Sequence, residues 1–143
     1  MKRLVVYRSF FGATKRYAEL LHEEMESDIA KYNKVDDSTF QKYEMVILCS
    51  ATYAGWINLS GYLVKHWNVL KERVVILVVI GAAPMDAEWS IRSYNKIPEN
   101  IRQGIKYYKL PAQVKSGDTD KARKEYLAPV VDYIGKQKGE DKK

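Results

Sequence analysis

A single cysteine, two histidines and four prolines are all that this chain of 143 residues holds of those types. Each scarcity excludes something. Cys49 has no partner for an internal disulfide. His22 and His66 stand far apart, and neither has another ligand type at motif spacing, so no metal site is legible. No unbroken apolar run approaches the roughly 18 to 20 residues of a membrane span. The longest, Val74–Ile80, has the length of a buried strand. Met1-Lys2-Arg3-Leu4 enters a strand-like run that is too short and too β-branched for a secretory signal, with no small-residue cleavage site after it. The expectation is an intracellular, cytoplasmic protein.

Several catalytic fingerprints are also missing. There is no G-x-x-x-x-G-K-[ST] loop for a nucleoside triphosphate and no G-x-G-x-x-G after the first strand for a dinucleotide, where only Gly12 stands. A response regulator needs acids at the ends of its first and third strands; Arg8-Ser9 and Ser50 occupy those places. A cysteine phosphatase needs an arginine six residues after its nucleophile, and Gly55 stands there relative to Cys49. Neither a G-x-S-x-G elbow nor a Ser/His/Asp set is present. Cys49, on an apolar run, reads as an inert core residue.

What is present is an α/β pattern. Apolar residues make up 46% of the chain, enough to build one core. Leu4–Tyr7, Met45–Cys49 and Val74–Ile80 are continuous apolar runs rather than alternating ones, the signature of parallel strands covered on both faces. Ile29–Tyr32 and Ile105–Leu110 are weaker strands. Ala18, Leu21 and Met25 share one face of a helix over 14–26. Leu63, Trp67 and Leu70 mark a second helix with Ser60 as its expected N-cap and Trp67 in the core. Leu127, Val130, Val131 and Ile134 mark a last helix in which Pro129 predicts a kink or a start. The order predicts one doubly wound α/β domain over 1–136, with five parallel strands and helices on both faces, and a charged tail over 137–143. The long insert 82–104 is expected to hold helical turns or serve a function, with Trp89 and Tyr94 covering a ligand or forming a satellite core.

Ligands of such sheets bind beyond the carboxyl ends of the strands. Three segments fall there: Arg8–Thr14, Ser50–Trp56 and Gly81–Met85. The first offers hydroxyls and backbone N–H groups, the second aromatic rings, the third small residues. The helix after the first segment opens on Lys15-Arg16 and closes on acids, the reverse of what its macrodipole favours, and Met1–Arg16 holds five basic residues and no acid. An anion at that helix start would turn the arrangement favourable. The formal charge of +6 also permits nucleic acid or an anionic membrane, but the positive charge forms no single stripe and no nucleic-acid motif appears.

The segment S-F-F-G-A-T-K after the first strand resembles the flavodoxin phosphate loop, approximately [ST]-x-[TS]-G-x-T. Tyr43–Ser50 followed by Thr52-Tyr53-Ala54-Gly55 resembles the third strand and flavin loop of the same superfamily. Together with Pro98-Glu99-Asn100-Ile101 and Gly117-Asp118-Thr119-Asp120, these segments resemble the short flavodoxin-domain proteins that include the oxygen-independent protoporphyrinogen oxidases. The resemblance implies a flavodoxin-like three-layer α/β/α fold and flavin mononucleotide (FMN) as cofactor. It implies Ser9 and Thr14 hydroxyls on the phosphate, with the N–H groups of Phe11, Gly12, Ala13 and Thr14 completing the nest. Thr52, Tyr53, Ala54 and Gly55 would border the ring, with Tyr53 or Trp56 stacking on it, and Gly81, Ala82 and Ala83 would flank its other side. Phe10 and Phe11 depart from the family's small or hydroxyl residues and predict lost donors and added bulk beside the phosphate. Three functions follow as expectations: electron transfer or flavin-dependent oxidation, porphyrinogen oxidation coupled to a quinone at a membrane, or a binding module that kept the fold without the cofactor. The redox partner, protein or quinone, is left open. The basic charge argues against the acidic docking surface of electron-shuttling flavodoxins and favours acidic partners or peripheral membrane contact.

Overall fold

Adjacent residues of the apolar runs bury on opposite faces of one sheet. This computed structural model describes residues 1–114 and 117–137; the predicted tail lies, apart from Gln137, outside the described residues. Five parallel strands, β1 (Arg3–Tyr7), β2 (Asp28–Lys31), β3 (Met45–Tyr53), β5 (Val74–Gly81) and β6 (Ile105–Pro111), lie in the order β2-β1-β3-β5-β6. A sixth strand was not anticipated: β4, Trp56–Ile57, folds back antiparallel on the end of β3. On one face Val5, Ile47, Cys49, Ile76 and Val78 pack under α1 (Ala13–Glu24) and α6 (Thr119–Lys136). On the other, Leu4, Val6, Val46, Leu48, Val75 and Leu77 pack under α2 (Asp37–Phe40), α3 (Ser60–Leu70) and α5 (Glu99–Arg102), with α4 (Glu88–Asn95) nearby. Neighbouring residues thus serve two cores, which is why neither face leaves a polar alternation in the sequence. Cys49 is fully buried, and burial pushes its thiol up to about 12, as an inert core residue requires.

Several boundaries shift. Ser60 does not cap α3; it is the first helical residue, and the cap position falls on Leu59, whose N–H donates to Ser50 Oγ. The run after Met45 does not stop at Cys49, because pairing with β5 continues to Ala51 and with β4 to Tyr53. Pro129 neither starts nor ends the last helix, which runs through it from an Asp118 cap. Pro129 and Glu125 are both exposed, so the carbonyl that loses its donor at Pro129 stays hydrated. The insert resolves into α4 and α5 and divides its two aromatics: Tyr94, half-buried, stacks on Tyr107 at 4.1 Å against the core, whereas Trp89 stays exposed. No helix among the described residues is long and apolar enough to cross a membrane.

Helices α1 and α6 are joined by a forked ion pair. Arg16 donates Nε to Asp120 Oδ1 at 3.0 Å and an Nη to Oδ2 at 2.6 Å. The hydrogen bond from Arg16 holds the Asp120 carboxyl below its ordinary value of 3.8. A carboxylate with a lowered folded pKa stabilises the fold above the unfolded pKa and loses that contribution as pH falls through the folded one. Asp120→Asn is therefore expected to flatten the acid limb of stability below about pH 4. Urea midpoints measured at pH 7 and pH 3 check this: the variant's difference between the two should be smaller than the unsubstituted protein's.

Candidate functional site

The strand order reverses between β1 and β3, and the segments leaving β1, β3 and β5 converge there. The first is drawn tight by its own side chain, since Gly12 N–H donates to Ser9 Oγ at 3.1 Å. Gly12 takes φ 89°, a left-handed conformation that glycine adopts without strain, and so starts α1 abruptly. No side chain caps α1 and its first turn holds no acid. Arg16 N–H reaches Gly12 O, but among the described residues the N–H groups of Ala13, Thr14 and Lys15 find no acceptor. Thr14, in the first turn of α1, is only 2% exposed. Ala13 and Thr14 line a cleft of about 220 Å³ together with Phe10 and Phe11, Ala51 and Thr52, and Ile80, Gly81, Ala82 and Ala112.

Phe10 and Phe11, the two departures from the family loop, stand at the edge of this cleft. Phe11 is 91% exposed, and Phe10 turns sideways onto Tyr53 with ring centroids 5.1 Å apart. Both rings border the cleft without filling it, and the backbone donors stay available.

Thr52 and Ala82 also line a second cavity of about 210 Å³, with Tyr53, Ala54, Gly55, Ala83, Trp89, Ser90, Ser93 and Lys109. Its rim is a hairpin rather than the loop the sequence suggests. Tyr53 pairs with Trp56 across Ala54 and Gly55, whose φ values of 51° and 81° make the two-residue turn that suits strand twist. Helix α4 holds the turn: Ser93 Oγ and Lys96 Nζ both donate to Gly55 O, at 3.0 and 2.8 Å, and Lys96 lies 4.0 Å from the Trp56 ring centre. Trp56 is exposed on the outside and lines neither cavity.

Of the predicted residues, eleven line one cavity or the other, and Ser9 and Gly12 shape the first from behind. Sequence reasoning missed Ser90, Ser93, Lys109 and Asn58. Asn58 fastens the strand ends: its Oδ1 accepts from Ser50 Oγ at 2.6 Å and Ala51 N–H at 3.0 Å, while Nδ2 donates to Arg8 O. Ser90 and Ser93 left a faint signal, small polar residues three apart on the inner face of a short helix.

The basic segment Met1–Arg16 needs correction. Arg3 donates to Glu26 O, and Arg8 donates to Asn58 O and covers the Tyr32 ring. Lys2 lies over Tyr43, and Arg16 pairs with Asp120, Glu19 and Glu23. The reversed charge order on α1 is answered within the protein, largely by α6. What the loop itself offers is its backbone donors and two hydroxyls, the groups a helix start presents to an anion.

A doubly wound sheet whose switch point opens into this two-part cleft is the architecture of flavodoxin-like proteins. The flavodoxin domain matches residues 4–127, and the chain belongs to that family. Among solved structures it is similar to a flavodoxin from the domain Archaea, at 18% identity and TM-score 0.63, covering 94% of this chain and 99% of that one. It is similar also to two-electron reduced Megasphaera elsdenii flavodoxin, at 11% identity and TM-score 0.61 over 89% and 98% of the two chains. Oxidised flavodoxin 2 from Bacillus cereus follows at 16% and 0.58 over 94% and 99%. At these identities the likeness is one of fold. No curated protein matches the chain by sequence.

Proposed function

We propose that this protein binds FMN in the two-part cleft and acts in electron transfer or flavin-dependent oxidation. The observation that carries the reading is the start of α1: an uncapped, acid-free helix end with free N–H groups and a buried threonine, beside a cleft that shares Thr52 and Ala82 with an aromatic-rimmed cavity. The donor set suits a phosphate dianion. Ser9, Thr14 and the N–H groups of 13–15 would hold the phosphate. Thr52–Gly55 on one side and Gly81–Ala83 on the other would enclose the ring, with Tyr53 and Trp89 offering aromatic faces. Bound FMN supplies reversible one- and two-electron chemistry. The residues of the cleft bind it, orient it and limit water around it.

The test is direct. FMN added to purified protein at micromolar concentration is expected to give bound-flavin absorbance bands with quenched flavin fluorescence. Absence of both overturns the reading in favour of a module that kept the fold without the cofactor. The narrower reading, porphyrinogen oxidation feeding a quinone, is favoured by the exposed ring of Phe11 beside Phe10 and Tyr53 at the mouth of the cleft, which suits a flat apolar partner. An assay with porphyrinogen and a menaquinone on FMN-loaded protein should show turnover, and a flat trace removes that reading while leaving FMN binding intact.

A further inference from the structure

Lys109 is the group in the cleft that the fold does not account for. It stands on β6 opposite Val79, inside the sheet's paired region. Its side chain crosses the space left open by Gly81, where a Cβ would lie 3.0 Å from Lys109 Cε and 3.3 Å from Nζ. Nζ donates to Ser90 Oγ at 2.7 Å, and Ser90 Oγ donates in turn to Ala83 O. Among the described residues no carboxylate lies within ion-pair distance of Nζ, and no acid lines the cavity it faces. Partial burial holds its pKa below the ordinary lysine value. A half-buried ammonium without a counter-ion is expensive, and an apolar residue of similar length would fill the space without that cost. The next cation, Lys96, is already engaged with Gly55 O and Trp56.

We infer that Lys109 is the charge-selecting residue of the cavity, favouring a ligand that carries negative charge at its ring end. The inference rests on the FMN reading. Two electrons and one proton convert the neutral oxidised ring into an anionic reduced one, and a fixed cation facing the ring favours the second form. Lys109 thus raises the midpoint potential of bound FMN while leaving the oxidised form's affinity little changed.

Lys109→Met and Lys109→Gln, loaded with FMN, test this by dye-equilibrated titration with dithionite at pH 7, alongside the Kd for oxidised FMN. The expected result is a tenfold or larger loss of reduced relative to oxidised binding, a fall of about 30 mV for a two-electron couple. Oxidised Kd should stay within about threefold, and Lys109→Arg should restore the potential. Lys109→Gln, which keeps a polar partner for Ser90, carries the test if Lys109→Met does not fold. An unchanged or raised potential in a folded, FMN-loaded variant, or failure of arginine to restore it, overturns the inference alone. If the unsubstituted protein takes up no FMN, the proposed function fails and this inference falls with it.

Discussion

Replacing Ser9 and Thr14 together by alanine is expected to raise the Kd for FMN at least a hundredfold. A hydrogen bond to a charged partner contributes about 1.5–3 kcal/mol, and each factor of ten in affinity corresponds to about 1.4 kcal/mol. Two lost hydroxyls therefore exceed two decades even at the lower bound. Ser9 contributes twice over, because its Oγ also accepts the Gly12 N–H and holds the loop in shape. Thr14 is buried at the first turn of α1, so its loss leaves a gap that water or a shifted phosphate fills poorly. Riboflavin provides the control. It lacks the phosphate, so its weaker affinity should be the same in variant and unsubstituted protein, and FMN affinity should fall toward it. Fluorescence titration with both flavins reads this out. An unchanged FMN Kd would place the phosphate elsewhere.

The two halves of the cleft were not equally legible. The phosphate end is made by one short segment, so the chemistry of Ser9, Gly12 and Thr14 can be read locally. The ring end is assembled from the β3–β4 turn, the β5 end, α4 and β6. Lys109 reaches it through the β5–β6 register and Ser90 through the packing of α4, and neither arrangement leaves a spacing in the sequence. The hairpin was missed for a related reason. Two-residue turns of this kind favour Asn-Gly or Asp-Gly, and here alanine occupies the first position at φ 51°. The basic N-terminal segment misled because its neutralising partners are distant: Asp120 lies a hundred residues and more along the chain from Arg16. The centre of the core was legible, because β1, β3 and β5, buried on both faces, are written as unbroken apolar runs.

Gly81→Ala is expected to damage fold and site together. A Cβ at this position would meet Thr52 Oγ1 well inside van der Waals contact and Lys109 Cε at 3.0 Å. The strand cannot yield, since Gly81 pairs with Pro111 at the end of β5 and its carbonyl accepts the Ala112 N–H. Thr52 must leave its rotamer and Lys109 must withdraw, displacing one of the two residues common to both cavities and the one cation that lines the second among the described residues. Overpacking of this kind typically costs about 1–3 kcal/mol. At roughly 2–4 °C per kcal/mol for a chain of this size, the Tm should fall by several degrees. Gly61→Ala separates this from the general effect of a methyl group. Gly61 lies in α3 with nothing near its missing Cβ, so alanine there should stabilise by up to about 1 kcal/mol. The combination that identifies the cause is Gly81→Ala with Thr52→Ser, which removes a methyl group and lets the hydroxyl rotate clear. If crowding against Thr52 is the source of the damage, the double variant should recover part of the lost Tm; if Tm stays at the single variant's value, the constraint lies with Lys109.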